Sequence, residues 1–117
     1  MKGLQAPPAI YLYRRYVDFR KSINGLVAIV TEETDLPIHS GALFLFTNKQ
    51  KDKVKILYWD TTGFALWYKR LERATFKWPS QEKEAVFNLS NDELERLLSG
   101  FTIIGHKAVE LDEITLS

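Results

Sequence analysis

Two runs of strand-forming residues stand on either side of a four-residue turn, and this pairing restricts the possible folds of the chain more than any other feature. Lys53-Val54-Lys55-Ile56-Leu57-Tyr58-Trp59 is rich in β-branched, apolar and aromatic side chains, and Phe64-Ala65-Leu66-Trp67-Tyr68 repeats that character. Asp60-Thr61-Thr62-Gly63 between them has turn chemistry, so the pattern predicts a β-hairpin. Side chains alternate across a strand, which places Lys53, Lys55, Leu57 and Trp59 on one face and Val54, Ile56 and Tyr58 on the other. In the second run Trp67 and Lys69 share one face, and Phe64, Leu66, Tyr68 and Arg70 the other. A slip of one residue exchanges the faces, so which set meets the core stays open. A helical reading of Phe64 to Arg73 also stays open, because Phe64, Trp67, Tyr68 and Leu71 fit helical spacing as well.

The rest of the chain supplies partners for this hairpin. Ile10-Tyr11-Leu12-Tyr13 reads as a short strand, and Ala42-Leu43-Phe44-Leu45-Phe46 as a buried one. Between them Asp18 is placed to cap a helix carrying Phe19, Ile23, Leu26, Val27 and Val30 at helical spacing and ending near Glu33. Asn24-Gly25 inside that helix suggests close packing against another backbone. After the hairpin, Thr75-Phe76-Lys77-Trp78 reads as a last strand ended by Pro79, and residues 80–87 as polar and irregular. Ser90-Asn91-Asp92-Glu93 is a capping box that opens a helix with Leu94, Leu97 and Leu98 on one side and Gly100 as its stop. Phe101 to Ile104 reads as a short extended piece. The expected fold class is α+β: a small antiparallel β-meander of about four strands with an N-terminal and a C-terminal helix packed on one side. Residues 1–9 are expected to form a disordered lead-in, 10–104 a single domain and 105–117 a loosely held acidic tail.

Size and composition narrow the chemistry. With 117 residues, 45% of them hydrophobic, the chain can build one core. It has no cysteine, which excludes disulfides and thiolate metal sites and suits a reducing compartment. No apolar run approaches the roughly 18 residues of a membrane span, and Met1 to Ala9 lacks a secretory hydrophobic segment. The expected localisation is cytoplasmic, with no membrane partner. His39 and His106 are the only histidines and stand far apart, so no metal and no cofactor is expected. Neither a glycine-rich phosphate loop nor a nucleophile elbow occurs, and no catalytic residues are assigned. A metal-dependent nuclease would need converging carboxylates. Asp18, Asp60 and Glu72 are the acids embedded in the basic part, and a helix cap, a turn and an ion pair account for them.

Charge points elsewhere. Residues 1–77 carry 13 Lys+Arg against 7 Asp+Glu and residues 78–117 carry 3 against 8, so charges of +6 and −5 lie behind the net +1. Such a split suits a polyanion at one part of the molecule and a basic protein at the other. Lys49, Lys51, Lys53 and Lys55 form a positively charged tip, and Arg20 and Lys21 lie where a helix would begin, a position that disfavours cations unless an anion is bound. Lysine neutralises phosphates, arginine binds them bidentately, and exposed rings stack on unpaired bases. Candidate phosphate contacts are therefore Arg14, Arg15, Arg20, Lys21, Lys49, Lys51, Lys53, Lys55, Lys69 and Arg70. Trp59 and Trp67 are the candidate stacking rings, with Trp78 also considered.

The run Lys55-Ile56-Leu57-Tyr58-Trp59-Asp60, Thr62-Gly63-Phe64, Leu66-Trp67-Tyr68-Lys69-Arg70-Leu71-Glu72 resembles the TnpB, or second open-reading-frame, accessory proteins of the insertion-sequence-sixty-six family of bacterial transposable elements. Asp18-Phe19-Arg20-Lys21 with Gly25-Leu26, Leu43-Phe44-Leu45-Phe46 and Phe76-Lys77-Trp78-Pro79 extend the resemblance over about residues 10 to 100. The chain departs from the family pattern at Arg14-Arg15-Tyr16-Val17, which add charge, and at Ser22 and Asn24. The resemblance implies a partner in transposition beside a separate transposase that carries the catalytic acids. It carries no implication of a reaction, and nothing here is similar to the larger RNA-guided nucleases that share the TnpB name.

Together these readings describe a non-enzymatic accessory protein for transposition. Its expected partners are element-end DNA, the transposase–DNA complex, the transposase and the element's other accessory protein, met through a basic aromatic hairpin. A protein–protein adaptor without direct DNA binding is the alternative, and a metal-dependent nuclease a third reading, which requires Asp60 to sit near another carboxylate.

Overall fold

The continuous apolar run at residues 42–46 is the centre of the molecule because it is covered from both sides. In a computed structural model, which describes residues 7–79 and 84–100, Leu43–Thr47 forms strand β2, and each of its residues is buried. A strand buried on both faces has no need of polar alternation. It is flanked by β1 (Ile10–Tyr13) and by β3 (Lys53–Asp60), which continues into β4 (Gly63–Arg70); a short fifth strand, β5 (Val86–Asn88), lies outside β1. The sheet order is β4-β3-β2-β1-β5.

The expected hairpin is present, with Ile56 opposite Trp67 and Asp60 opposite Gly63, and the helical alternative for residues 64–73 is excluded by β4. The α+β class holds, but the four-stranded antiparallel meander does not. β1 and β2 run parallel, Ile10 opposite Leu43 and Leu12 opposite Leu45, while the other pairings are antiparallel. Parallel neighbours need a crossover, and α1 (Ile23–Glu33) supplies it. The expected strand at 75–78 is instead an irregular segment that buries Phe76 and Trp78: Phe76 N–H donates to the Lys51 carbonyl at 2.7 Å, and the Trp78 indole to the Tyr13 carbonyl at 3.0 Å. The fifth strand lies within a stretch expected to be irregular, where Phe87 pairs with Leu12.

The helices occupy opposite faces of the sheet. Leu26, Ile29 and Val30 of α1 pack with Tyr13, Phe44, Phe46 and Leu57. On the other face Leu94 and Leu97 of α2 (Asn91–Leu98) join Phe76 and Trp78 over Leu12, Leu45, Val54 and Ile56. Packing on a single side is therefore corrected: both faces of this sheet are apolar, and exposing either would leave a large patch in water.

The helix starts follow from local chemistry. In α2 both halves of the capping box form, with Ser90 Oγ accepting from Glu93 N–H at 3.2 Å and Glu93 Oε1 accepting from Ser90 N–H at 2.8 Å. Gly100 follows its end at φ +89°, a backbone region glycine enters freely. Helix α1 begins four residues later than an Asp18 cap implies. Ser22 is its N-cap and makes no side-chain cap bond, whereas the Asp18 carboxylate accepts from the Arg20 N–H at 2.9 Å in the preceding turn. Gly25 does not face another backbone either. A Cβ there would meet the side-chain carbons of Lys21 at 3.0 and 3.1 Å.

Residues 1–6 of the lead-in, the extended piece at 101–104, His106 and the acidic tail lie outside the described residues. Ala9 is tied to the sheet, its carbonyl accepting from Leu43 N–H at 3.0 Å. Among the described residues no helix is long and apolar enough to cross a membrane.

Candidate nucleic-acid interface

Because β1 and β2 are parallel and β3 returns antiparallel, the ends of β1, β2 and β4 and the start of β3 meet at one end of the sheet. The basic candidates of β3, β4 and the β2–β3 turn lie there or within two residue pairs of it, and those of the segment after β1 follow directly from the end of that strand. The segment following β1 is held against this end by the Val17 N–H, which donates to the Thr47 carbonyl at 2.9 Å; it starts with Arg14 and Arg15 just past β1 and brings the backbone of Phe19 and Lys21, with Arg20 between them, onto Lys55. Lys53 and Arg70 are cross-strand partners.

The β2–β3 turn is organised by a buried asparagine. Asn48 Oδ1 accepts from Lys53 N–H at 3.1 Å, and its amide donates to Asp52 Oδ1 at 2.7 Å and to Gln50 Oε1 at 3.1 Å. Thr47 Oγ1 donates to the Lys53 carbonyl at 2.9 Å. These bonds satisfy the turn internally and leave Lys49 exposed and Lys51 and Lys53 half-buried at the rim.

The ten cations are not equivalent. Lys55 is only 8% exposed: its ammonium donates to the carbonyls of Phe19 at 2.9 Å and Lys21 at 2.8 Å and lies 4.6 Å from the centre of the Phe19 ring. Burial pushes its pKa down, and the nearby Asp18 charge opposes that shift. Lys69 donates to the Leu98 carbonyl at 2.8 Å, at the C-terminal end of α2 where a cation is favoured. Arg14 Nε donates to the Glu84 carbonyl at 2.9 Å. Arg70 pairs with Glu72 at 2.8 Å and Arg20 with Asp18 at 2.6 Å; hydrogen bonds from the Arg20 side chain and backbone hold the Asp18 carboxyl down at about 2. Both pairs are exposed, and such pairs exchange partners at little cost. Arg15, Lys21, Lys49, Lys51 and Lys53 have no side-chain hydrogen bond or ion pair among the described residues.

The tryptophans are placed away from this end. Trp59 lies at the opposite end of the hairpin, half-buried against His39 at 4.9 Å and Phe64 at 5.0 Å between ring centres. Trp67 is half-buried on the α2 side of the sheet, and Trp78 is buried. The rings that do accompany the positive charge are tyrosines that sequence reasoning passed over. Tyr16 is 55% exposed and Tyr68 is 50% exposed, the latter edge-on to Phe19 at 6.2 Å. Tyr68 was visible as the cross-strand neighbour of Lys55 once the hairpin register is known; Tyr16, inside an irregular segment, had only its Arg-Arg neighbours as a signal.

The carboxylates do not converge. Asp60 is at the far end of β3, about 23 Å of strand from Lys53, whereas Asp18 and Glu72 are engaged by arginines at the basic end. Among the described residues no group of three or more His, Asp or Glu is arranged to hold a metal ion.

The comparisons with known proteins agree with the basic reading of the sequence at the level of family. The chain is 36% identical over 84 residues to the uncharacterized protein y4jC of Sinorhizobium fredii, covering 72% of this chain and 71% of that protein. It is 33% identical over 91 residues to the uncharacterized protein y4hO of the same organism, covering 78% of each. No solved structure matches. The model of the IS66 Orf2-like proteins matches residues 8–108, so the chain belongs to that family of transposition accessory proteins.

Proposed function

We propose that this protein binds the DNA at the ends of its element, alone or within the transposase–DNA complex, through the basic end of the sheet, and that it positions DNA without cutting it. One observation supports this above the others. Five cations with no partner among the described residues, Arg15, Lys21, Lys49, Lys51 and Lys53, are gathered at one end together with two exposed tyrosines, although they come from segments more than 25 residues apart. Unneutralised like charges repel and slightly destabilise the free protein, so a bound polyanion is the circumstance that offsets them. Arg20 and Arg70 join the contact by exchanging their carboxylate for a phosphate. Lys55, Lys69 and Arg14 serve by holding the segment after β1, the end of α2 and the chain near Glu84 in place.

The experiment is a salt titration of binding to duplex element-end DNA. Phosphate neutralisation releases counterions, so the logarithm of affinity falls with the logarithm of salt by about 0.9 per contact, and the five unpartnered cations with Arg20 and Arg70 make seven contacts and predict a slope of about −6.3. Lys49→Ala/Lys51→Ala/Lys53→Ala should flatten that slope by about 2.7 at unchanged fold. Absence of binding at low salt refutes direct DNA recognition and leaves the adaptor reading. The observation favouring that second reading is the cluster of half-buried Trp59 and Phe64 with exposed His39 at the other end of the hairpin, since aromatic residues are enriched in interface hot spots.

A further inference from the structure

The two edges of the sheet are finished differently. β5 is only three residues long, the kind of short edge that discourages strand addition. β4 is eight residues long, none of them is buried, and from Gly63 to Tyr68 it carries neither charge nor proline. Its pairing with β3 fixes which backbone groups face outward. Asp60 opposite Gly63 closes a two-residue turn, and at the other end the Leu71 N–H donates to the Asp52 carbonyl at 2.7 Å. Antiparallel bonding alternates, so the odd-numbered residues from Gly63 to Leu71 bond to β3, and Phe64, Leu66, Tyr68 and Arg70 turn their N–H and C=O groups away from it. Those four residues have no backbone partner among the described residues.

We infer that this edge pairs with the same edge of a second copy of the chain, antiparallel about a two-fold axis at Leu66, so that two five-stranded sheets become one. A contact of that symmetry needs a self-complementary strand, and β4 is one in this direction. Counted from Leu66, Phe64 meets Tyr68 of the second copy, an aromatic pair, and Trp67 meets Ala65, a large residue against a small one. Charge selects the same direction. Lys69 and Arg70 end the strand and Asp60 stands beside its start, so antiparallel copies bring the cationic end of each to the Asp60 end of the other. Parallel copies would set Lys69 and Arg70 against their own kind, which destabilises a pair of strands. Glu72, the carboxylate just past the strand, is already engaged by Arg70 at 2.8 Å. The pairs formed by Phe64, Leu66 and Tyr68 supply about six backbone hydrogen bonds. The inference does not depend on the DNA-binding reading; the axis sends the two basic ends to opposite ends of the joined sheet.

Sedimentation equilibrium of the purified chain without DNA, over a range of concentrations, should approach twice 13.6 kDa. Leu66→Pro removes an outward N–H and no bond to β3, so it should sediment as a monomer with its circular dichroism retained. A second measurement reads the register in an otherwise native chain. The protein has no cysteine, so Leu66→Cys places the only thiol on the axis, where the Cα atoms of the two copies are about 5.5 Å apart and within disulfide reach. Thr62→Cys places it at the hairpin tip, about 27 Å along the joined strands from its own copy. Mild oxidation should link the first variant into a dimer and leave the second unlinked. A mass of 13.6 kDa at every concentration, or equal linking of the two cysteine variants, overturns the inference and leaves the edge to a strand of another protein. A dimer that survives in folded Leu66→Pro puts the contact elsewhere and overturns it as well.

Discussion

Lys55 offers the clearest separation of a structural lysine from a phosphate-binding one. Replacing it with methionine keeps the buried aliphatic stem and removes the ammonium, hence two charge-assisted hydrogen bonds to the Phe19 and Lys21 carbonyls and the contact with the Phe19 ring. Each such bond contributes about 1.5–3 kcal/mol, and the ring contact about 0.5–2 kcal/mol. Against this, methionine escapes the desolvation penalty of a buried cation, which amounts to several kcal/mol. Residues 19 and 21 lie near the surface, so water reaches the vacated carbonyls in part. The net loss is about 2–3 kcal/mol, or about 8–12 °C in melting temperature for a chain of this size. Urea unfolding followed by tryptophan fluorescence, with linear extrapolation to water, measures it. A loss below about 0.5 kcal/mol would refute the account of Lys55 as the peg that fastens the segment after β1 to the sheet. Unchanged stability with weakened DNA binding and a salt slope flattened by about 0.9 would return Lys55 to the phosphate contacts.

Two further outcomes follow from backbone and protonation chemistry. Thr61 occupies the first position of the β3–β4 turn at φ +56°, a region a β-branched residue enters at a cost of about 1–2 kcal/mol, so Thr61→Gly should stabilise the protein by about 0.5–1 kcal/mol in the same urea assay; a loss of stability would show that the threonine side chain contributes more than its strain. Tyr13 is held protonated up to about 12, first by burial and then by its hydrogen bond to the Glu33 carboxylate, against 10.0 for a free phenol. A raised folded value means the contribution to stability is complete below about pH 10 and disappears as pH rises through about 12. Burial and the Asp60 charge raise Tyr58 as well, so ultraviolet titration should show a late-ionising phase that Tyr13→Phe diminishes. Glu33→Gln should bring the Tyr13 midpoint down only part of the way, because burial persists; a late phase unchanged by Tyr13→Phe would contradict the geometry.

What the sequence determined alone is local. The hairpin was legible because two runs of β-branched, apolar and aromatic residues flank an Asp-Thr-Thr-Gly turn within 18 residues, the second helix because Ser90 and Glu93 satisfy each other's backbone, and the first strand because its apolar run is short and bounded. The basic residues were legible as a set, since charge is read directly from side-chain identity. Tertiary structure decided the rest, for reasons that no window of neighbouring residues contains. The parallel pairing of β1 with β2 depends on α1 crossing over the sheet, and the three-residue β5 exists because β1 offers it an unpaired edge. Placing α1 and α2 on opposite faces turned Lys55 inward, toward carbonyls more than 30 residues away, and left Tyr16 and Tyr68 in solvent beside the cations while the tryptophans went to packing. Side-chain identity specifies which charges and rings the molecule has; only the long-range closure of the sheet specifies which of them face water together, because burial is a property of the whole packed surface.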